Sequence, residues 1–253
     1  MNKIILLLCF LPLFLSAQNY HIEYINRNSP LTRFKEDLYI QKDNFISIWD
    51  SVVIRDTEKI KQLQEGTGNG FGFFTKDKLH TVIYYKNNKN NNVIIRDYIK
   101  DHVYFIKDEI PLIRWNTDYP MTKVIAGYKC NKATTIFRGS KIVAYYTKSI
   151  NIKTGPYKFN GLPGLILEVL EVYEENSDVN LWTATKVEPL SASFSGMVIP
   201  SGVNMISLKS FNDRMQKKND EDFEKIMETV PKGVEIKRNK TERKGIEKKY
   251  EWE

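Results

Sequence analysis

Cysteine is scarce, with two in 253 residues, Cys9 and Cys130. Cys9 sits in an apolar leader, so the exported chain would keep Cys130 alone, and a lone thiol excludes an internal disulfide framework. Cys130 reads as a small buried apolar side chain rather than a nucleophile. Histidine is nearly as rare: His21, His80 and His102 show no i, i+4 pair, and H-E-x-x-H is absent, so no metal and no cofactor are expected. G-x-S-x-G is absent too, and Ser191, Ser193 and Ser195 stand in a loose polar segment. The glycine cluster from Gly66 to Gly72 lacks the Lys-Ser/Thr of a phosphate loop and reads as a turn. No aromatic-rich basic motif suggests a nucleic-acid partner. No helix long enough for a parallel crossover separates the apolar segments, which argues against a doubly wound α/β fold.

What is present begins with Asn2-Lys3, an apolar run from Ile4 to Leu15, and the small residues Ser16-Ala17. The run is too short to span a membrane and has the form of a signal peptide, residues 1–17. The mature chain has no transmembrane segment, and the expected location is periplasmic or secreted. Residues 18–231 read as a single β-rich domain with C-terminal helices, and residues 232–253 as a basic charged tail, solvated and frayed.

Period-two alternation marks strands at Tyr20–Ile25, Leu38–Ile40, Phe45–Trp49, Leu79–Tyr85, Val93–Tyr98 and Val103–Ile106. Further strands are expected at Pro111–Trp115, Ala126–Thr134, Lys141–Ile150 and Leu165–Tyr173, the last pairing with Leu181–Val187. Asp50–Glu65 suggests a short surface helix. Near the end, Ser207 is placed to cap one helix and Asn219 a second. Phe223, Ile226, Met227 and Val230 form an apolar stripe. The fold class is mostly β with C-terminal helices (α+β): a single curved antiparallel sheet or half-barrel packed by helices.

The stretch "GPYKFNGLPGLILEV" at 155–169 concentrates glycine and proline before an apolar strand. Pro163-Gly164 has the residues of a type II turn, and Gly155, Pro156 and Gly161 add structural punctuation. A phosphate-gripping nest would want a helix to follow, and a strand follows instead. Tyr145, Tyr146, Tyr157 and Phe159 are the candidates to line a concave apolar ligand site, with burial as plain core residues the simpler alternative.

"GLPGLILEV" at 161–169, "GYKCNKA" at 127–133, "AYYT" at 144–147 and "GPYKF" at 155–159 together resemble the GLPGLI family, envelope proteins of Bacteroidetes-type bacteria. The resemblance spans about Trp115 to Val187. It departs at Tyr145, where tryptophan is expected, at Ser140, where a basic residue is expected, and at Asn151, where proline is expected. The resemblance implies an envelope protein and supplies no reaction; the leading reading, by analogy of fold, is a noncatalytic cell-envelope protein that binds an apolar ligand or a protein partner. Outer-membrane proteins of TonB-dependent transport are the partners it suggests. The alternative is a secreted hydrolase whose active site the sequence does not reveal. No catalytic residue is assigned.

Overall fold

The computed structural model describes residues 19–29, 32–55, 80–87, 91–172, 179–196, 198, 201–230 and 245–253. The expected leader, the expected helix beyond residue 55 and the 66–72 glycine cluster lie outside these residues. Among the described residues twelve strands form one sheet. In chain order they are β1 (Asn19–Ser29), β2 (Thr32–Gln41), β3 (Asn44–Arg55), β4 (Val82–Asn87), β5 (Asn92–Ile99) and β6 (His102–Glu109), then β7 (Thr122–Ile125), β8 (Tyr128–Phe137), β9 (Ser140–Thr147), β10 (Leu165–Glu171), β11 (Val179–Pro189) and β12 (Met205–Ser207). Among the described residues one helix, α1, spans Leu208–Glu228. The spatial order is β12-β6-β5-β4-β3-β2-β1-β11-β10-β9-β8-β7. Neighbours are antiparallel except β12, which lies parallel to β6. The fold is therefore mostly β, one large open sheet packed with a helix.

The hydrophobic alternation sets which face is buried. On β1, Ile22 and Tyr24 are fully buried, while His21 and Glu23 are only half-buried. Opposite Ile22 and Tyr24 on β2 stand Leu38 and Glu36, and opposite these on β3 stand Ser47 and Trp49. The inner face thus carries polar as well as apolar groups. Register shifts near Glu23/Tyr24, Phe34/Glu36 and Ile166/Glu168 add the local twist by which sheets curl.

The curl is steep. Arg138, in the turn between β8 and β9, reaches Asp108 on β6 with an Nη2–Oδ1 distance of 2.8 Å. In the sheet order these strands stand near opposite edges. The hollow so formed is filled by the 150–164 segment. Lys86 Nζ on β4 donates to the carbonyls of Gly155 (2.8 Å) and Tyr157 (2.7 Å). Trp115 Nε1 donates to Asn160 O at 2.8 Å, and Phe159 is fully buried between Phe137 and Trp182. Two glycines permit the crossing. A Cβ on Gly164, whose φ is +152°, would stand 2.0 Å from Thr147 O, and one on Gly155 would stand 2.6 Å from Ile166 Cβ.

Several expected elements are corrected. Residues 50–55, expected to open a helix, continue β3 as strand. Pro111–Trp115 forms no ladder, and only Asn116 bridges to Thr134. Ala126–Thr134 is not one strand: Ala126 and Gly127 adopt φ of 48° and 82° and make a two-residue turn between β7 and β8, the primed geometry that fits hairpin twist. The two expected C-terminal helices are a single one. Ser207 caps it, its side chain accepting from Ser210 N. The expected break at Asn219 is bridged by Gln216–Asp220 and Lys218–Asp222 contacts, i, i+4 pairs that support a continuous helix. The end of the segment read as a frayed basic tail packs on the sheet, with Ile246 and Tyr250 buried. No helix among the described residues is long and apolar enough to cross a membrane.

Candidate functional site

A cleft of about 620 Å³ opens between the inner face of the sheet, α1 and the C-terminal segment, a size suited to a small organic ligand. Its aromatic wall is Trp49 of β3, Tyr84 of β4, Trp182 of β11 and Tyr157 of the filling segment. Trp49 lies 5.3 Å from Tyr84, 5.7 Å from Tyr157 and 6.1 Å from Trp182, centroid to centroid. Tyr157 stacks on Trp182 at 5.6 Å. The register explains the convergence of strand residues. Trp49 is directly opposite Glu36 on β2 and Val82 on β4, and Trp182 is opposite Asn26 on β1. Facing the rings, α1 presents Asn212, Asp213, Met215, Gln216 and Asn219, positions spaced along one helix face. Gly245, Ile246, Glu247 and Tyr250 complete the rim.

Glu36 lies fully buried behind this wall. Its Oε2 accepts from Trp182 Nε1 at 2.7 Å, and its Oε1 accepts from Tyr157 N at 2.7 Å and from Ser47 Oγ. Burial raises its carboxyl above the usual range, although these donors and the nearby Lys86 charge pull it back. Burial also lowers the Lys86 ammonium to about 8, against the opposing pull of Glu36. The pair grips both ends of Tyr157: Glu36 holds its N–H and Lys86 its carbonyl. Tyr157 has φ of +55°, a left-handed conformation that costs a residue with a side chain about 1–2 kcal/mol. Residues held so by their surroundings cluster at functional sites.

Under the other rim runs a charge network. Arg138 contacts both oxygens of Asp108, at 2.9 and 2.8 Å, and Glu247 Oε1 at 2.6 Å. Its Nε and Nη2 reach Glu251 at 3.1 Å. Lys158 Nζ contacts Asp108 Oδ2 and Glu247 Oε1, both at 2.8 Å. Burial opposes the Asp108 charge, but the Arg138 hydrogen bonds and the Lys158 charge outweigh it and hold that carboxyl below its ordinary value. Glu247 thus brings to the cleft a carboxylate fixed by two cations. The Tyr157 hydroxyl is pushed well above its ordinary value by burial first and then by Glu247. Trp49 Nε1 is buried without a hydrogen-bond partner among the described residues, which leaves a polar requirement unmet in the aromatic wall.

Of the four aromatic residues singled out from the sequence, only Tyr157 lines the cleft. Phe159 is buried behind it, in ring contact with Tyr157 and Trp182. Tyr146 is buried on β9, and Tyr145 points to the other face, under the Lys123 ammonium. Gly155, Pro156 and Gly164 are buried where the filling segment meets the sheet, while Gly161 and Pro163 are exposed. Cys130 is buried, and burial pushes its thiol up to about 11, which disfavours the reactive thiolate. Trp49, Tyr84, Trp182, Glu36 and Glu247 were not singled out. The signal within reach was the polar Glu36 and Ser47 at inward positions of otherwise apolar alternations.

An open, curled sheet whose hollow is filled by its own loop, with an aromatic cleft at one side, defines the architecture. Residues 75–213 match the family model described as N-glycanase peptide, N-terminal domain. The match covers more than half of the chain, and the chain belongs to this family. Among solved structures, it is similar to PNGF-II in a P21 crystal form, with 20% identity and a TM-score of 0.51, covering 80% of this chain and 34% of that one. The C2 form gives 19% identity and a TM-score of 0.49, covering 80% and 33%. An uncharacterized conserved protein from Thermus thermophilus gives 7% identity and a TM-score of 0.43, covering 76% and 91%. The first likeness shows the fold, and this chain spans about a third of the length of PNGF-II. No curated protein matches.

Family membership corrects the resemblance to the GLPGLI family, which rested on short blocks around a sheet corner. It also overturns the reading as a noncatalytic binding protein. The hydrolase alternative is the reading the family favours.

Proposed function

We propose that the chain is a domain of an exported hydrolase directed at N-linked glycoproteins, with the aromatic cleft as the place where the glycan is engaged. The observation that carries this reading is the family match, which includes Tyr84, Tyr157, Trp182, Asn212 and Asp213 of the cleft. The chemistry of the walls supports it. A sugar ring offers an apolar C–H face, which suits the electron-rich face of an aromatic ring. Its hydroxyl edges suit side-chain amides and carboxylates, which donate and accept in fixed directions. The cleft sets four rings on one side against Asn212, Gln216 and Asn219 on the other. Asp213 and Glu247 are the carboxylates at its surface, and positioned carboxyl groups can move protons in amide or glycosidic cleavage. Export fits the apolar leader at residues 4–15.

The test is release of oligosaccharide from a denatured high-mannose glycoprotein by the purified chain, followed by mass spectrometry, with tryptophan fluorescence recording binding of the free oligosaccharide. Release that Asp213→Asn or Glu247→Gln lowers by about 100-fold or more, with quenching of the cleft tryptophans, is the expected result. Absence of both release and quenching overturns the reading.

A further inference from the structure

We propose that His21, Glu23 and Asp37 form a binding site for a divalent transition ion of the zinc type, on the face of the sheet turned away from the cleft. The placement follows from the pleat. Ile22 and Tyr24 point inward on β1, so His21 and Glu23, at i and i+2, share the outer face. Asp37 on β2 is directly opposite Glu23. One ligand atom from each of the three lies within 4.8 Å of the other two. One imidazole nitrogen with two carboxylate oxygens is a donor set that suits zinc better than the all-oxygen sets of calcium or magnesium.

The imidazole is already oriented. It stacks on Tyr39 at 4.5 Å and 9°, and Tyr39 stacks on Phe194 at 3.9 Å and 5°. Its Nε2 faces Asp37 Oδ1 at 2.7 Å, and on its far side Nδ1 lies 4.0 Å from Glu188 Oε2. A metal-bound imidazole commonly gives its other nitrogen to a carboxylate, which sets the tautomer and strengthens the ligand. Glu188 is the carboxylate on that side, and at 4.0 Å it has to close on Nδ1 to serve as that partner. The β1–β11 register also shifts at Glu23/Tyr24, and such bulges re-aim side chains.

A cation is already held there. Lys35 Nζ sits 3.3 Å from Asp37 Oδ1 and 3.7 Å from Glu23 Oε2, on a side chain 37% exposed. Lys186 compensates the outer rim, 2.8 Å from Glu188 and 3.9 Å from Glu23. A zinc ion takes the place of the Lys35 ammonium, which swings into solvent. Metal and lysine therefore compete for the same two carboxylates, and the effect of removing Lys35 on zinc affinity is what separates a metal site from an ordinary surface ion-pair network.

The test is titration of the untagged chain with zinc chloride by calorimetry, with thermal unfolding in parallel. The wild type is expected to bind one ion and to gain a few degrees in Tm at saturating zinc. Glu23→Gln, which keeps the side-chain shape, and His21→Ala are each expected to weaken binding more than tenfold, and Glu188→Gln about tenfold. Lys35→Met is expected to tighten binding about threefold to fivefold, because it removes the competing charge. No heat and no Tm change in the wild type overturns the proposal. So does binding that Glu23→Gln leaves unchanged, or that Lys35→Met weakens. The site lies away from the cleft, so the glycan assay has no bearing on this outcome.

Discussion

The indole N–H of Trp182 donates to Glu36 Oε2 at 2.7 Å, so a large ring of the cleft is held from behind by a buried carboxylate. The same carboxylate holds the backbone of Tyr157, the ring stacked on that indole. Glu36 is a positioning residue: it lies beneath the wall and acts through the rings. Glu36→Gln puts an amide N–H₂ where a donor already points, since glutamine cannot accept at both ends of its head group. The expected loss of stability is about 1–3 kcal/mol, with a shift in tryptophan emission and weaker oligosaccharide binding. Unchanged emission and midpoint would show that the carboxylate does not set the wall.

Lys86 gives the molecule a signature in mildly alkaline solution. Its ammonium titrates near 8 in the folded chain against an ordinary 10.5. Between those values the unfolded chain binds more protons than the folded one, so this group's contribution to stability rises with pH across that window. The contribution is fully present above 10.5 and is lost as pH falls through 8. Its size is about 3 kcal/mol. Urea unfolding at intervals from pH 7 to 10.5 measures it as the difference in slope between wild type and Lys86→Met. The variant is less stable throughout, because two buried carbonyls lose their donor. Parallel slopes would place the lysine in water.

Arg138 fastens the C-terminal segment to the sheet. Its carbonyl accepts from Lys248 N and Lys249 N, both at 2.9 Å, while its guanidinium binds Glu247 and Glu251. Arg138→Met leaves Asp108 with Lys158 alone as its cation, and breaking such a buried set costs about 3–5 kcal/mol. Thermal unfolding should show this loss, and limited proteolysis should show faster cleavage within residues 245–253. Added salt should do little to the wild type, since the guanidinium is fully buried. A wild type that salt destabilises strongly would contradict the geometry.

The sheet was legible because its strands write their alternation into the chain. Tyr20–Ile25 and Val93–Tyr98 each fall within a strand of the structure, while Lys141–Ile150 follows β9 only as far as Thr147 and its last three residues leave the sheet. The turn at Ala126-Gly127 was hidden because apolar residues continue the alternation on both sides of it. The helix from Leu208 was read as broken at Asn219, where local polarity mimics a cap that i, i+4 pairing overrides. The cleft was barely legible. Trp49, Tyr84, Tyr157 and Trp182 come from four separated segments, and only the register of a strongly curled sheet decides that they meet. Tyr145 and Tyr146 show the converse, since adjacent residues on a strand face opposite sides. The glycine- and proline-rich motif that suggested a family is spent on packing, at Gly155 against Ile166 and at Gly164 against Thr147.

The partnership of β1 with β11 governs how the molecule can assemble. Tyr20 pairs with Pro189 and Arg27 with Leu181, so one side of the first strand stays bare until nearly the whole described sheet has been made. Contacts of such long sequence separation slow folding. A fragment ended before β11 would carry an unprotected strand edge, the kind of surface on which chains stack into aggregates. The protein is therefore not divisible into a front half and a back half, and any attempt to express the cleft apart from the first strand has to supply that strand again.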